Sequence, residues 1–238
     1  MMYEWTPDRI RFMKEASEMT GYYREIALKA ADLYGPDQTV LDMGCGLGYL
    51  SLELSRCFRK VISCDISEDA LAVLRDNIAR YGIDNIDTVC LDGNCFVPGE
   101  HVDIIFFCYF GSDEEIESIF ENSEATYAVI VRKNYMKHRF SVSGGSLDMN
   151  QYLTSLTYFS NRGMVTKNTE ISPEFGQPFR DLDDARRFFE IYSKDGDDVT
   201  DEFLLSRLER KDSGDYRFYL RQERESGIIF IEKRGKSS

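Results

Sequence analysis

The chain has 238 residues and a formal net charge of -13 at pH 7, with 42% hydrophobic and 30% charged residues. This composition is typical of a folded globular protein, and the acidic balance argues against a general nucleic-acid binder, because phosphate binding needs concentrated positive charge. No apolar run approaches the roughly 20 residues of a membrane span, so no membrane partner is expected.

The N-terminal residues 1–17 mix charged and aromatic side chains and lack the apolar core of a signal peptide. We therefore expect a cytoplasmic protein. The six cysteines include no CxxC pair, and most lie in or beside apolar runs. This pattern predicts reduced thiols that pack as small hydrophobes, without a disulfide framework.

The predicted elements begin with one or two helices over residues 6–35, which end at Gly35-Pro36. Short apolar runs then alternate with helical patterns, and Ser67 and Ser112 are the expected N-caps of two helices. Continuous apolar runs are typical of parallel strands that are covered on both faces, so the alternation predicts a doubly wound sheet. The five runs span residues 39–43, 60–65, 86–92, 102–108 and 127–132.

Beyond residue 135 the pattern changes. We expect helices over residues 146–163, 181–194 and 198–210, a strand over 164–172, and two strands in 215–233 around a turn at Ser226-Gly227. The chain shows no internal repeat, and we predict a single domain over residues 1–238. Its parts are an N-terminal helical cap (1–36), a central core (37–135) and a C-terminal part with inserted helices and final strands (136–238).

A glycine-rich turn directly follows the first predicted strand, with glycines at positions 44, 46 and 48. Without side chains, the turn lets a ligand approach the backbone, and the free N–H groups at the start of the next helix suit an anionic or polar ligand. The phosphate-binding P-loop is excluded because no Lys-Ser or Lys-Thr follows, and the dinucleotide fingerprint needs glycine where Tyr49 stands. A tight turn without a ligand is the alternative.

The spacing Asp-x-Gly-x-Gly-x-Gly, within VLDMGCGLGYLSLELS (residues 40–55), resembles the first motif of the class I S-adenosylmethionine-dependent methyltransferases. The resemblance covers residues 38 to 135 and makes the central core the part that binds the cofactor. It implies a Rossmann-like, doubly wound α/β fold with a seven-stranded, mostly parallel sheet, whose last hairpin supplies the antiparallel strand. It also implies S-adenosylmethionine as cofactor and S-adenosylhomocysteine as product.

The resemblance assigns cofactor contacts to individual residues. Asp65, at the end of the second strand, would accept hydrogen bonds from the ribose hydroxyls, and Asp92, with Gly93 beside it, would contact the adenine amino group. Asp42 would lie near the methionine end; for Asp65 and Asp92, helix or turn capping is the alternative. Further predicted cofactor contacts are Tyr22, which the N-terminal cap would bring over the cofactor, and Gly44, Cys45, Gly46, Gly48, Ile66 and Cys108.

The segment after the fourth strand, residues 108–111, is expected beside the transferred methyl group, because reaction sites of open α/β sheets lie beyond the carboxyl ends of the strands. Tyr109 is therefore the predicted catalytic residue, and Tyr109 and Phe110 are predicted to contact the substrate. Amino-methylating relatives carry Asn/Asp-Pro-Pro-Tyr/Phe at this place. The sequence keeps only the aromatic character, which disfavours methylation of a base or of glutamine.

Two other chemistries are disfavoured by the same segment. Metal-dependent O-methyltransferases need carboxylates at the ends of strands four and five, and these are missing, so no metal is expected. A thiol mechanism could use Cys45 or Cys108. We expect both to be small buried residues that line the cofactor.

A basic run, residues 131–139, follows the fifth strand and contains no acid. Arg132 and Lys133 are predicted to hold a carboxylate or phosphate of the substrate. His138 is a candidate general base for a hydroxyl nucleophile. A solvated loop is the alternative for the whole run.

These observations predict methyl transfer from S-adenosylmethionine to a small anionic molecule. An RNA or protein methyltransferase is the first alternative, and the acidic charge and the missing amino-methylation motif oppose it. A non-catalytic relative that only binds the cofactor is the second, and the intact first motif opposes it. The sequence does not specify the oligomeric state.

Overall fold

The computed structural model describes residues 4–92, 101–145, 149–193 and 198–233. The helices are α1 (Pro7–Met19), α2 (Tyr22–Tyr34), α3 (Tyr49–Leu54), α4 (Glu68–Tyr81), α5 (Asp113–Asn122), α6 (Gln151–Asn161), α7 (Leu182–Tyr192) and α8 (Asp201–Arg207). The strands are β1 (Thr39–Met43), β2 (Lys60–Asp65), β3 (Ile86–Cys90), β4 (Ile104–Cys108), β5 (Tyr127–Lys133), β6 (Val165–Ile171), β7 (Gln177–Phe179), β8 (Glu209–Ser213), β9 (Tyr216–Leu220) and β10 (Ser226–Glu232).

The helix signals in the sequence are confirmed at the predicted positions. The Ser67 side chain accepts a hydrogen bond from the Ala70 N–H and caps α4, which ends at Gly82 in the left-handed conformation. Ser112 caps α5 in a reciprocal capping box with Glu115. These caps fix the residues at which α4 and α5 begin after the strands that precede them.

The main sheet has seven strands in the order β3-β2-β1-β4-β5-β10-β6. Strands β1 to β5 are parallel, and β10 runs antiparallel between β5 and β6. The predicted Rossmann-like, mostly parallel sheet is thus confirmed. The strand order reverses between β1 and β4, which lie side by side with Met43 opposite Phe107, so the chain segments after these two strands meet at one edge.

Both faces of the main sheet are covered, as its continuous apolar strands predict. Helices α2, α3 and α4 pack on the face that carries Val40 and Phe106. Helices α5 and α6 pack on the opposite face, which carries Leu41 and Ile105. No helix in the described ranges is both long and apolar enough to span a membrane.

A third core lies beside the main sheet and joins both ends of the chain. It contains the small sheet β7-β9-β8 together with α1, α7 and α8. The ring of Phe12 on α1 meets Phe188 on α7 edge to face, with 5.2 Å between the centroids. Arg11 pairs with Asp184 at 2.7 Å, so the N-terminal cap is fastened to the C-terminal part.

The predicted C-terminal hairpin is wrong. Strand β9 belongs to the small sheet and β10 to the main sheet, and Ser226-Gly227 begins β10 opposite Lys133 and Arg132. Gly227 is required by close packing, because an added Cβ would lie 2.0 Å from the Tyr152 ring. The antiparallel strand is present, but it does not come from a hairpin, and β7 and β8 were not predicted.

Candidate cofactor and acceptor site

The glycine-rich turn has a backbone that only glycine adopts without strain. Gly44, Gly46 and Gly48 have φ angles of 69°, 54° and 76°. The N–H groups of Gly44 and Cys45 donate to the Cys64 carbonyl at 2.8 and 3.0 Å, which ties the turn to the end of β2. The alternation of glycines in the sequence is therefore a direct requirement of the turn.

Side chains from distant elements pack directly on this turn. A Cβ at Gly44 would lie 2.4 Å from the Phe110 ring, and a Cβ at Gly46 would lie 2.9 Å from the Trp5 ring. Phe110 comes from the segment after β4, and Trp5 from the residues before α1. The predicted substrate contact Phe110 thus lies against the glycine turn itself.

Asp65 connects the turn to α4. Its Oδ2 accepts from the Gly46 N–H at 2.7 Å, and its Oδ1 accepts from the Ser67 N–H at 2.9 Å. The next residue, Ile66, leaves half of its surface exposed (50%), an uncommon state for isoleucine and one suited to covering a flat ring. The ribose contact of Asp65 and the cofactor contact of Ile66 stay predictions.

The remaining predicted nucleoside contacts follow β3. Asp92 is exposed two residues beyond the end of this strand. Gly93 lies outside the described residues. The adenine contact of Asp92 stays a prediction.

Asp42 is a buried carboxyl group on β1, with 1% of its surface exposed. The Ser51 hydroxyl donates to its Oδ2 at 2.6 Å. Burial raises the pKa of Asp42 to about 7, with a smaller contribution from the charge of Asp65, and the Ser51 hydrogen bond opposes this rise. Asp42 can therefore gain or lose its proton near neutral pH.

The two cysteines at the site are poor nucleophiles. Burial raises the pKa of Cys108 to about 12, and burial also raises the pKa of Cys45 well above its ordinary value. Because the thiolate is the reactive form, both side chains stay as thiols at neutral pH. This supports lining roles for Cys45 and Cys108 over a thiol mechanism.

Tyr109 has an unusual backbone conformation, and its side chain contacts buried residues of α2 and β10. Its φ of 56° makes it the single non-glycine residue with positive φ among the described ranges. Its hydroxyl hydrogen-bonds to the Tyr22 hydroxyl and, at 2.6 Å, to the Ser226 hydroxyl. Tyr22 and Ser226 are themselves 2.9 Å apart, and we call these three residues the hydroxyl cluster.

The hydroxyl cluster is neutral and preorganised. Burial raises the pKa of Tyr109, and burial also raises the pKa of Tyr22 well above its ordinary value. Tyr109 can therefore donate or accept a hydrogen bond at neutral pH, but it is a weak base. Tyr22, predicted to contact the cofactor, is fully buried, and its hydroxyl faces Tyr109.

Arg224 is a site residue that the sequence did not reveal. Its guanidinium lies 4.2 Å from the Tyr109 ring centroid, and 5.0 Å from the rings of Tyr22 and Phe175. In the sequence it belongs to the charged run RQERES, residues 221–226, which has the composition of a solvated turn. Only the fold brings it to the hydroxyl cluster.

The contacts of Arg132 differ from the predicted contact with an anionic substrate. It is buried, and its guanidinium donates to the carbonyls of Phe110 and Gly111 at 2.6 and 3.0 Å, and to Ser155. It also pairs with Asp113 at 3.0 Å. Because these partners occupy the guanidinium, we replace the predicted acceptor contact with a structural role: Arg132 fixes the segment that carries Tyr109.

The rest of the basic run surrounds this edge of the sheet. Lys133 is half-buried at the end of β5, opposite Ser226. The backbone N–H of His138 donates to the Gly145 carbonyl at 2.8 Å. The acceptor contact of Lys133 and the general-base role of His138 stay predictions.

Residues 40–126 match the model of a family described as a methyltransferase domain. A probable cobalt-precorrin-6B C(15)-methyltransferase (decarboxylating) from Methanobrevibacter smithii is 32% identical over 101 residues, which are 40% of this chain and 53% of the relative. The protein of the same name from Methanococcus maripaludis is 29% identical over 56% of this chain and 77% of the relative. The chain thus spans about half the length of the first of these curated relatives.

The solved structure of precorrin 8W decarboxylase from Methanobacterium thermoautotrophicum has the same fold. Its TM-score is 0.52 at 16% sequence identity, and the match covers 88% of this chain and 90% of that protein. A parallel sheet with a glycine-rich turn at its switch point defines the Rossmann-like class of α/β proteins. Within that class, residues 40–126 are similar to a methyltransferase domain, and the chain resembles proteins named as methyltransferases.

Proposed function

We propose that the protein transfers a methyl group from S-adenosylmethionine to a small molecule that carries an anionic group. The observation that carries the proposal is the adjacency of β1 and β4, which brings the glycine-rich turn and Tyr109 to one edge of the sheet. Displacement at a methyl group requires donor and acceptor to be held close and in line. The segments after β1 and β4 lie side by side at this edge and can hold the donor and the acceptor close together.

The residues present fit the cofactor. At all three glycines of the turn, an added Cβ would meet a packed side chain, so the turn has no room for a larger residue. Asp65 fixes the turn from one side, and Ile66 exposes an apolar surface beside it. When bound, S-adenosylmethionine supplies the methyl group from its sulfonium.

The chain's own residues position the reaction. Asp42, close to the methionine end by resemblance, becomes a carboxylate beside a positive charge, because an opposite charge lowers the pKa of a buried acid. The hydroxyl cluster gives the acceptor side fixed hydrogen-bonding groups. The aromatic rings of Phe110 and Trp5 pack on Gly44 and Gly46 and cover part of the turn.

The acidic chain and the relatives support a small acceptor. A net charge of -13 disfavours a polyanion such as RNA. Two of the curated relatives are named as decarboxylating methyltransferases, and decarboxylation needs a substrate with a carboxyl group, whereas other relatives are named as RNA methyltransferases. A small carboxylated molecule therefore agrees with both observations.

Calorimetry with S-adenosylmethionine and S-adenosylhomocysteine tests the cofactor assignment. We expect micromolar binding, on the order of -8 kcal/mol. The Asp65→Ala variant should bind about tenfold or more weakly, because it loses the hydrogen bond to Gly46 and the predicted ribose contact. Asp87→Ala, the same change on the exposed face of β3, is the matched control and should bind normally. Tight binding of NAD without any response to S-adenosylmethionine would contradict the proposal.

Release of S-adenosylhomocysteine in the presence of a panel of carboxylated and phosphorylated metabolites tests the acceptor class. The same protein should bind RNA weakly or not at all at moderate salt. A submicromolar affinity for RNA that falls steeply with salt would favour an RNA methyltransferase instead.

A further inference from the structure

We propose that Arg224 binds the oxyanion of the acceptor, a carboxylate or a phosphate, next to the ring of Tyr109. The inference rests on the proposed function and deepens it, because it names the residue that selects anionic acceptors. It also replaces Arg132, whose guanidinium is occupied by internal partners.

The charge of Arg224 has no acidic partner among the described residues. No carboxylate forms an ion pair with its guanidinium there, and its Nε is buried without a hydrogen-bond acceptor. Arg221, only three residues earlier, pairs with both Glu174 and Glu209. Arg224 is half-buried, and a cation that is partly removed from water without an acidic partner favours binding of an anion.

Aromatic rings hold Arg224 in place without neutralising it. Its guanidinium lies over Tyr109, Tyr22 and Phe175, at distances of 4.2 to 5.0 Å from the ring centroids. Such contacts orient a guanidinium through the ring quadrupole and leave its full positive charge. The planar N–H groups of arginine match the two oxygens of a carboxylate or phosphate.

A second arginine strengthens the positive field. Arg139, from the basic run, lies 5.8 and 5.6 Å from the ring centroids of Tyr135 and Phe140, and its Nη2 is buried without a partner in the described structure. Burial lowers the pKa of Arg139, with a smaller contribution from the charge of Arg224. An anion near both arginines would relieve this repulsion.

The position of Arg224 beside Tyr109 supports a role in acceptor binding. Arg224 lies over the Tyr109 ring, and the next residue, Phe110, packs on Gly44. The backbone carbonyl of Arg224 also accepts a hydrogen bond from Ser226 of the hydroxyl cluster at 3.2 Å. An anion on Arg224 would thus place the rest of the acceptor next to Tyr109.

Small probes test the inference before the natural acceptor is known. Benzoate and phenyl phosphate carry the two oxyanions, and benzamide is the uncharged isostere of benzoate. Binding is measured by NMR titration of the protein saturated with S-adenosylhomocysteine. We expect at least one anion to bind the native protein about tenfold or more tightly than benzamide, and comparison of the two anions distinguishes carboxylate from phosphate selection.

The Arg224→Met variant should lose this preference, whereas Arg224→Lys, which keeps the charge, should retain part of it. Arg221→Met is the matched control, because it removes an exposed arginine that has its own acidic partners, and it should keep the preference. Thermal unfolding confirms that each variant is folded. The affinity for S-adenosylhomocysteine should change less than about twofold in all three variants.

Equal binding of benzoate and benzamide, no binding of either anion to the native protein, or an unchanged preference in folded Arg224→Met would overturn the inference. Failure of the proposed function gives a different result. In that case S-adenosylhomocysteine does not bind the native protein, and titration without it still tests the anion preference of Arg224.

Discussion

The proposed cofactor side and the proposed acceptor side of the site are built in different ways. On the cofactor side, Asp42, the glycine-rich turn and Asp65 lie within one strand–turn–helix–strand segment, and one hydrogen bond from Gly46 to Asp65 closes it. On the acceptor side, Tyr22 and Ser226 hydrogen-bond across 204 residues of sequence. A backbone that needs glycine leaves a local pattern in the sequence, whereas a contact between distant elements leaves none. The comparison explains why the sequence predicted the glycine-rich turn as a unit, whereas it predicted Tyr109 and Tyr22 separately and missed their contact with Ser226.

The largest expected effect is on the cofactor side. Gly48→Ala should weaken S-adenosylmethionine binding about a hundredfold or more, because the residue has a φ of 76° and an added Cβ would lie 2.4 Å from the buried Leu74 side chain. Calorimetry measures the affinity at a temperature where the variant is folded. Gly82→Ala is the control, since it has the same left-handed backbone and open space around the Cβ. If both variants bind normally, the turn does not form the cofactor site.

The Arg132→Ala variant tests whether Arg132 stabilises the segment that carries Tyr109. Removal of the guanidinium leaves the nearly buried Asp113 carboxylate without its partner, and we expect the free energy of unfolding to fall by about 3 kcal/mol. Urea denaturation measures this loss. The double variant Arg132→Ala/Asp113→Ala should lose less than the sum of the two single variants. Normal stability of Arg132→Ala, with impaired acceptor kinetics, would restore the role that the sequence predicted.

The pH dependence of stability tests the burial of Asp42. An unfolded aspartate titrates near 3.9, whereas the folded Asp42 has a pKa of about 7. Between these values the native state binds more protons, so the contribution of this group to stability is greatest below about pH 4 and is lost as the pH rises through about 7. Asp42→Asn should therefore show a smaller decline of the melting temperature between pH 5 and 7.5. An identical decline in both proteins would contradict the raised pKa.

The smallest expected effect is optical. Trp5 is the only tryptophan of the sequence, and it packs on Gly46 of the turn. Binding of S-adenosylhomocysteine should change its fluorescence by some tens of percent, with the same dissociation constant that calorimetry gives, because tryptophan emission responds to the removal of water around the ring. The Gly48→Ala variant should lack this change at the same ligand concentration. Unchanged emission at saturation would place Trp5 away from the cofactor.

Much of the fold could be predicted from the sequence because its signals are local. The bounds of β1 and β2 were predicted to the residue, since each is a continuous apolar run between turn residues. Strand β7 has only three residues, and β8 has the charged sequence ERKDS, so neither shows a strand pattern. The Ser-Gly pair predicted a turn, but Gly227 is needed for the approach of the Tyr152 ring. That requirement exists only in the folded state.

The same limit applies to the arginines of the site. Arg132 follows an apolar strand in a basic run, so the sequence favoured it as an anion ligand, and only the structure shows Asp113 and the Phe110 carbonyl beside it. Arg224 and Arg221 look alike in sequence. Three aromatic rings distinguish Arg224, and these rings come from three separate parts of the chain.

The third core has a consequence for synthesis of the protein on the ribosome. Asp8 on α1 hydrogen-bonds to Arg187 on α7, 179 residues later in the chain. At roughly 5–20 residues per second, about 10 to 40 seconds of translation separate the two partners. The contacts of α1 with α7 therefore form only after β1 to β5 have been made and can already pair. The hydroxyl cluster is completed later still, when Ser226 of β10 is made, so a nascent chain has its glycine-rich turn long before it has this cluster.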